Sequence, residues 1–123
     1  MREQIIELFT DEEEEFVNLL VTVGARKTVA RVLVYLLKNK QVTSRDLERG
    51  TDLRQPEVSI AIHELIERGW IRTGEIPSEK KGRPQKTYTL KVSADKIHST
   101  LEKETKDEAA RTLALVRKLK DFV

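Results

Sequence analysis

The chain of 123 residues contains no cysteine and only two histidines, His63 and His98, which lie far apart in the sequence. The lack of cysteine excludes disulfide bonds, thiolate metal sites and cysteine nucleophiles. Two distant imidazoles do not form the clustered ligand set that a zinc site requires. We therefore expect neither a metal ion nor another cofactor.

Aromatic side chains and long apolar runs are also scarce. Aromatic residues account for 5% of the chain, so we expect a mostly aliphatic core without a large ligand cavity. No apolar run approaches the length that crosses a bilayer, and the N-terminal MREQIIELF lacks the apolar core and cleavage site of a signal peptide. We expect one domain, located in the cytoplasm and without a membrane partner.

Charge, by contrast, is abundant and unevenly distributed. Charged residues make up 36% of the chain, and the net charge is +2. Residues 1–15 hold one arginine against seven acids, so they carry −6 and the remainder carries +8. The body of the domain is therefore basic, which bears on the choice of partner.

Residues 1–24 are predicted to form a helical segment that supports the core or a dimer. Residues 2–9 and 11–23 read as one interrupted or two consecutive helices, the second starting with a capping box between Thr10 and Glu13. The expected apolar face of the second helix, before Gly24, consists of Phe16, Val17, Leu19, Leu20 and Val23. The acids of its first turn complement the helix dipole, with a partner-binding patch as the alternative.

Two helices follow in the next stretch of the chain. Residues 25–40 repeat apolar side chains at helical spacing, at Val29, Val32, Leu33, Leu36 and Leu37. A short helix over residues 43–50 begins with a capping box between Thr43 and Asp46 and is expected to stop at Gly50.

A third helix is predicted over about residues 54–69. Pro56 is tolerated only in the first turn of a helix, which places the start near Arg54 or Gln55. One face has to be buried and consists of Val58, Ala61, Ile62, Leu65 and Gly69. The opposite side presents Pro56, Ile60, His63 and Glu67, with Gln55 and Ser59 towards the side.

Two alternating segments, WIRTGEI and KTYTLKV, are typical of β-strands. The basic stretch SEKKGRPQKTY lies between them. Taken alone, this stretch is compatible with a disordered tail, a charged hairpin or a finger that enters a nucleic-acid groove. The flanking strands favour a β-hairpin with its basic part at residues 77–87. Trp70 and Tyr88 are expected in the core.

The last helix is predicted to start at the cap Ser93 and to run to Val123. Its apolar residues follow the spacing of a dimer seam, although the segment is too short for a free coiled coil. The candidate dimer residues are Ile97, Leu101, Leu115, Leu119 and Phe122. We divide the chain into an N-terminal segment (1–24), a DNA-binding domain (25–92) and a dimerisation helix (93–123).

The order of elements predicts a mainly α protein with a small β-hairpin, a winged helix-turn-helix with additional N- and C-terminal helices. The stretch VTSRDLERGTDLRQPEVSIAIHELIERGWI resembles the winged-helix core of bacterial and archaeal transcription regulators. QPEVSIAIHEL is similar to the recognition helix of the ArsR group, and GRPQKTYTL resembles the wing of archaeal TrmB-like and MarR-like regulators. The resemblance covers roughly residues 20–92.

This resemblance implies a homodimer that binds double-stranded DNA through the third helix and the wing. Arg54 replaces the small cap that these families place before Gln-Pro, which weakens the cap and adds a cation. The cluster of metal ligands found in metal-sensing ArsR proteins is absent, and the chain has no room for the large effector domain of TrmB-type sugar regulators. A small-molecule effector is compatible with the chain, but no residue marks its cleft.

Candidate base contacts are Arg54, Gln55, Ser59, Ile60 and His63. Glutamine suits bidentate contact with adenine, and an exposed isoleucine suits a thymine methyl group. Alternatively, Gln55 and Ser59 merely satisfy the helix start, and Ile60 packs on a neighbour.

On the wing the candidates are Lys80, Lys81, Arg83 and Lys86. Lys-Gly-Arg-Pro resembles the core of an AT-hook, in which arginine lies in a narrow A·T minor groove, while the lysines suit phosphate. A solvated basic hairpin is the alternative. Further phosphate candidates at helix starts are Lys27, Thr43, Ser44 and Arg45.

The leading function is therefore sequence-specific DNA binding as a homodimeric transcription regulator. The alternatives are a winged helix used for protein contact and a non-specific architectural DNA binder. An enzyme is not expected, because the sequence shows no nucleophile–base pair and GRPQK lacks Walker spacing.

Overall fold

The computed structural model describes residues 9–77 and 82–123. The chain divides into two compact units, Met1–Lys91 and Val92–Val123. In chain order the elements are α1 (Asp11–Thr22), α2 (Lys27–Lys38), α3 (Ser44–Thr51), α4 (Gln55–Glu67), β1 (Ile71–Ile76), β2 (Gln85–Leu90), α5 (Ala94–Leu119) and a final 3₁₀ turn (Lys120–Phe122). The predicted helix over residues 2–9 falls almost entirely outside the described residues.

α2 is the central helix of the first unit. It packs against α1, α3, α4 and β2. Seven of its twelve residues are buried, namely Val29, Ala30, Val32, Leu33, Val34, Tyr35 and Leu36. The predicted apolar face is confirmed except for Leu37, which is only half-buried, and the burial extends further around the helix than the periodicity indicated.

α1 begins with the predicted capping box. The Thr10 N–H donates to the Glu13 carboxylate at 2.8 Å, and the Glu13 N–H donates to the Thr10 hydroxyl at 3.1 Å. The helix docks on α2, and the ring of buried Phe9 lies 4.6 Å beneath the guanidinium of Arg31. Arg31 also donates to the Thr51 carbonyl at 3.0 Å and pairs with Glu14 at 3.3 Å, so one side chain joins α1, α2 and the end of α3.

Only part of the apolar face predicted for residues 11–23 is buried within the chain. Val17 and Leu20 are buried, whereas Phe16, Leu19 and Val23 are exposed. α1 packs against α2. The strip of α1 that this contact buries is narrower than the apolar surface of α1. The first unit therefore leaves large apolar side chains of α1 in solvent.

α3 has the predicted capping box but not the predicted end. The Thr43 N–H donates to Asp46 at 2.9 Å, and the Asp46 N–H donates to the Thr43 hydroxyl at 3.1 Å. Gly50 does not stop the helix, which ends one residue later and is followed by Asp52 in the left-handed conformation, with φ 60°. Gly50 is needed for space instead, because a Cβ there would collide with the ring of Tyr35.

α4 begins where Pro56 predicted and ends slightly early. Arg54 is the N-cap and supplies no side-chain capping bond, but its N–H donates to the Glu57 carboxylate at 3.0 Å. The helix ends at Glu67 rather than at Gly69, which has a φ of +78°. Val58, Ala61, Ile62 and Leu65 of the predicted inner face are buried, whereas Gly69 lies beyond the end of the helix and is half-buried.

β1 and β2 form the expected antiparallel hairpin, in the register that pairs Ile71 with Leu90 and Ile76 with Gln85. Val42, just before α3, exchanges two backbone hydrogen bonds with Tyr88, of 3.1 and 2.7 Å. Trp70 and Tyr88 are buried, as predicted. The hairpin is therefore attached to the start of the helix-turn-helix as well as to the end of α4.

The second unit consists of one long helix. The Ser93 hydroxyl accepts the predicted capping bond from the Lys96 N–H at 3.0 Å. Exposed pairs one turn apart follow, with Lys103 to Asp107 at 3.2 Å and Lys106 to Glu102 at 3.6 Å. Within α5, all of which the structure describes, Ile97 is the one buried residue.

Candidate nucleic-acid interface

The outer face of α4 presents polar and apolar groups to solvent. Arg54, Gln55, Ser59 and His63 are exposed, and Ile60 exposes 56% of its surface. The opposite face is anchored by buried aliphatic side chains. The predicted base-contact residues therefore lie on one accessible helix, and Ile60 is not covered by a neighbour.

Every acid on α4 has a partner. Besides the bond from Glu57 to the backbone of Arg54, Glu67 lies 3.4 Å from the Nε2 atom of His63. Glu64 is 3.9 Å from the Nε atom of Arg26, the residue that precedes α2. These contacts hold each carboxylate beside a neighbouring group of the chain.

The described part of the wing is exposed. Arg83 follows Gly82 and precedes Pro84, and all three residues are exposed to solvent. Lys86 is exposed on β2, opposite Glu75 of β1 in the strand register. Lys80 and Lys81 lie outside the described residues.

An exposed cation of the hairpin, Arg72 on β1, is missing from the sequence candidates. It is paired in register with Thr89, whereas Lys86 is paired with Glu75. Because side chains alternate along a strand, Arg72 and Lys86 point to opposite faces of the hairpin. Only the register reveals this, since the sequence gives alternation but not which strand positions face each other.

The phosphate candidates lie where two helices begin. Lys27, the first residue of α2, and Arg45, in the first turn of α3, are exposed. Thr43 and Ser44 are half-buried, and the Thr43 hydroxyl already accepts a bond from its own helix. The two cations are therefore more accessible than the two hydroxyls.

The candidate dimer residues differ in exposure. Ile97 is buried and Leu101 is half-buried, whereas Leu115, Leu119 and Phe122 are exposed, Phe122 to 78%. The exposed apolar residues of α1 were not named individually as dimer candidates, although residues 1–24 were predicted to support the core or a dimer.

A family model described as "MarR family" matches residues 26–83. The match extends from the cap of α2 to the described tip of the wing, which is slightly less than half of the chain. No curated protein sequence matches the chain.

Solved structures are similar over more of the chain. The archaeal chromatin protein TrmBL2, described with a mode of DNA binding, has a TM-score of 0.65 and 17% identity, with 89% of this chain and 40% of TrmBL2 covered. A possible transcriptional regulator from Methanosarcina mazei has a TM-score of 0.62 and 18% identity, with 88% and 87% covered. A MarR-family transcriptional regulator from Silicibacter pomeroyi has a TM-score of 0.53 and 14% identity, with 89% and 78% covered.

These comparisons show the fold of the chain as a winged helix-turn-helix similar to that of MarR-family and TrmBL2 proteins. The predicted fold class is confirmed by the helices and the hairpin together with these neighbours. The chain spans about two-fifths of the length of TrmBL2. The matched family and the structures named above are transcription regulators and a chromatin protein, not enzymes.

Within the described residues 9–77 and 82–123, no cluster of three or more histidine and acid side chains has the arrangement of a metal site. In the same ranges, no helix is both long and apolar enough to cross a bilayer.

Proposed function

We propose that the chain is a homodimeric transcription regulator that binds specific sites in double-stranded DNA, with α4 in the major groove and the hairpin on the adjacent backbone and minor groove. The observation that carries this proposal is the outer face of α4. A helix fixed by four buried residues presents polar groups and an uncovered isoleucine to solvent. A major groove has the width to admit one such helix.

The structure supports α4 as the recognition helix through its first two turns. Arg54, Gln55 and Ser59 stand on the N-terminal half, which is the half that contacts base edges in helix-turn-helix proteins. His63 and Glu67 form a pair one turn further on, so we assign His63 a position at the edge of the contact. Glu67 at the end of the helix then stays away from phosphate.

The wing supplies cations beside this helix. Arg83 is exposed between Gly82 and Pro84, and we assign it to the minor groove. Lys86, with Lys80 and Lys81 nearby in the sequence, is assigned to phosphates, which position a protein without reading sequence. The two backbone bonds between Val42 and Tyr88 tie the wing to the start of the helix-turn-helix, which fixes one relative to the other.

Phosphate contacts at the helix starts complete the proposed interface. Lys27 and Arg45 are exposed in the first turns of α2 and α3, where free backbone N–H groups favour anions. We also assign Thr43 and Ser44 to phosphate contact, with their hydroxyl groups as donors. The Thr43 oxygen remains occupied by the capping bond.

The exposed apolar side chains support the homodimer. Leu115, Leu119 and Phe122 on the second unit recur at seam spacing, and Phe16, Leu19 and Val23 lie open on α1. Apolar surface of this kind is stabilised when a second copy removes it from water. A two-fold dimer would place two α4 helices about 34 Å apart, one DNA turn, on a near-palindromic site.

The test is fluorescence anisotropy with the DNA upstream of the protein's own gene and a shuffled duplex of the same composition. We expect tighter binding to the native sequence and a log–log salt slope of roughly −5 or steeper per dimer. Arg83→Ala should weaken binding, whereas Arg111→Ala, an equal loss of charge on exposed α5, should change it little.

Each alternative gives a different result in this assay. Equal, salt-steep binding to both duplexes would replace the proposal with a non-specific or architectural DNA binder. Absence of binding at low salt would replace it with a winged helix that contacts protein.

A further inference from the structure

We infer that the outer edge of β1 is an interaction surface, and that its partner is β1 of a second copy of this chain, paired antiparallel about Gly74. The contact lies on the hairpin and is separate from the proposed seam on α5. It goes beyond the proposed DNA binding and does not depend on it.

The hydrogen bonds of the hairpin show which backbone groups of β1 face outward. The N–H and C=O of Tyr88 both bond to Val42, on the side of β2 that lies away from β1. Opposed residues of an antiparallel pair either exchange both bonds or direct both groups away from each other. Thr73, opposite Tyr88 in the register, therefore directs its N–H and C=O away from β2, and Glu75, two positions along, does the same.

This outer edge is accessible and has the chemistry of a strand-pairing site. Within the residues that the structure describes, the sheet has two strands and ends at β1. The strand is exposed from Arg72 to Ile76, whereas Ile71 is buried. Unpaired N–H and C=O groups on an edge strand are a template for another strand. The two charges of the segment, on Arg72 and Glu75, lie on opposite faces, so neither face is protected by a row of like charges.

The residues of the segment select one register for two copies of this strand. Outward groups have to meet outward groups, so the two-fold axis passes through a residue. An axis at Arg72 or at Glu75 would set like charges directly opposite each other, which is unfavourable. An axis at Thr73 would require pairing with Ile71, which is buried. The axis at Gly74 remains, and it is also the centre of the exposed segment.

With the axis at Gly74, the five exposed residues of one strand pair with the same five of the other. Thr73 of each copy forms a hydrogen-bonded pair with Glu75 of the other, and each such pair has two backbone bonds. Arg72 lies opposite Ile76, which is 37% exposed and can be covered by the arginine stem. At the axis itself, glycine places no side chain between the strands. The two hairpins form one four-stranded sheet.

The same surface is used on both copies, as in other two-fold contacts. Together with the proposed seam on α5, the edge of β1 gives each chain a second contact with another copy. Under the proposed function, chains bound at neighbouring DNA sites are then joined through their wings.

The absence of cysteine from the chain allows a test by disulfide formation without DNA. Opposed residues of a hydrogen-bonded pair are about 5.5 Å apart at Cα, a distance that a disulfide spans, whereas diagonal neighbours are about 7–8 Å apart. A mixture of Thr73→Cys and Glu75→Cys should therefore cross-link in a redox buffer, and neither variant alone should.

A mixture of Arg72→Cys and Glu75→Cys, whose thiols lie on opposite faces of β1, is the control and should stay uncross-linked. The inference would be overturned if the first mixture did not cross-link, or if either variant alone cross-linked as well as that mixture.

The second measurement removes the outward N–H itself. Glu75→Pro loses this donor but no bond to β2, and proline is tolerated on a strand edge whose N–H faces solvent. Glu75→Ala keeps the N–H and is the matched control, and circular dichroism verifies that both variants fold. By sedimentation velocity without DNA, Glu75→Pro should self-associate about tenfold more weakly than the native chain, for two lost bonds per pair of strands.

Glu75→Ala should self-associate nearly as well as the native chain. Equal self-association of the proline and alanine variants would overturn the inference. Because neither measurement contains DNA, such a failure would leave the proposed function standing, and the anisotropy assay tests that function separately.

Discussion

The helices α2 and α5 are both amphipathic, yet their surroundings are opposite. In α2, side chains are buried around most of the circumference, including Tyr35 against the Gly50 position. In α5, which is more than twice as long, one residue is buried, and Leu115 and Leu119 are open to solvent. Apolar spacing therefore identifies a helix, but only the tertiary structure shows whether its apolar face is buried against another part of the chain.

The largest difference between the two helices is expected in folding stability. Leu33→Ala in α2 should lower the free energy of unfolding by about 2–5 kcal/mol, because the cavity cannot fully close. The matched change Leu113→Ala in α5, where the leucine is 53% exposed, should cost far less. Urea denaturation followed by circular dichroism measures both. Equal losses would contradict the contrast in burial.

The second effect is expected on assembly rather than on folding. Under the proposed dimer, Leu119→Asp places a charge in the seam and should weaken self-association by about 2 kcal/mol or more, roughly thirtyfold. Ala110→Asp adds the same charge on the opposite side of α5 and serves as the control. Sedimentation equilibrium measures both dissociation constants. If Leu119→Asp and Ala110→Asp self-associate equally well, the dimer seam lies elsewhere than at Leu119.

The third effect concerns the side chain that links α1 to the end of α3. Arg31→Met keeps an unbranched apolar stem but removes the bonds to Thr51 and Glu14, and should cost about 1–2 kcal/mol of folding stability. Arg111→Met on α5, a cation paired only at the surface, should be nearly neutral. Thermal unfolding of the two variants gives the comparison. If the thermal midpoints of both variants equalled that of the native chain, the contacts of Arg31 would not stabilise the fold.

The smallest effect is a pH dependence at the start of α1. The backbone hydrogen bond from Thr10, followed by Lys38, lowers the pKa of Glu13 from its ordinary value of 4.5. The carboxylate therefore contributes stability above that value, and the contribution is lost as the pH falls through the lowered pKa.

Glu13→Gln should accordingly be less stable than the native chain at pH 7, by less than about 1 kcal/mol for such a solvent-screened pair. The difference should shrink in acid. Glu12→Gln, also in the first turn but exposed, is the control for general charge effects. A difference that persists below the lowered pKa would exclude the carboxylate as its source.

Features that depend on neighbouring residues in the chain were predictable from the sequence. The caps at Thr10, Thr43 and Ser93 involve side chains and N–H groups three residues apart, and all three form as expected. The start of α4 followed from the geometry of Pro56, and the strands followed from alternation.

Features that depend on distant contacts were not predictable. Gly50 appeared to be a helix stop, but its role is to make room for Tyr35, fifteen positions earlier in the chain. The sequence placed Phe16 and Leu19 on the apolar face of α1, but it did not show that they stay exposed within the chain while Val17 and Leu20 are buried.

The candidate interface also combines features that the sequence predicted with features that depend on distant contacts. The helical wheel placed Ile60 on the outer face and Gln55 and Ser59 towards its side, and the structure has all three exposed. The pairing of Glu64 with Arg26 and the position of Arg72 opposite Thr89 required the packing and the strand register. DNA contact by any of these residues stays a prediction.

The most direct test of the proposed function uses the absence of cysteine from the chain. A single cysteine at Ser59 on α4, or at Asn18 on α1 as a control, can carry an iron chelate that cleaves nearby DNA. We predict cleavage within the bound DNA site from position 59, at two places about one helical turn apart, and little from position 18. Cleavage from neither position in a bound complex, or stronger cleavage from position 18, would contradict the placement of α4 in the major groove.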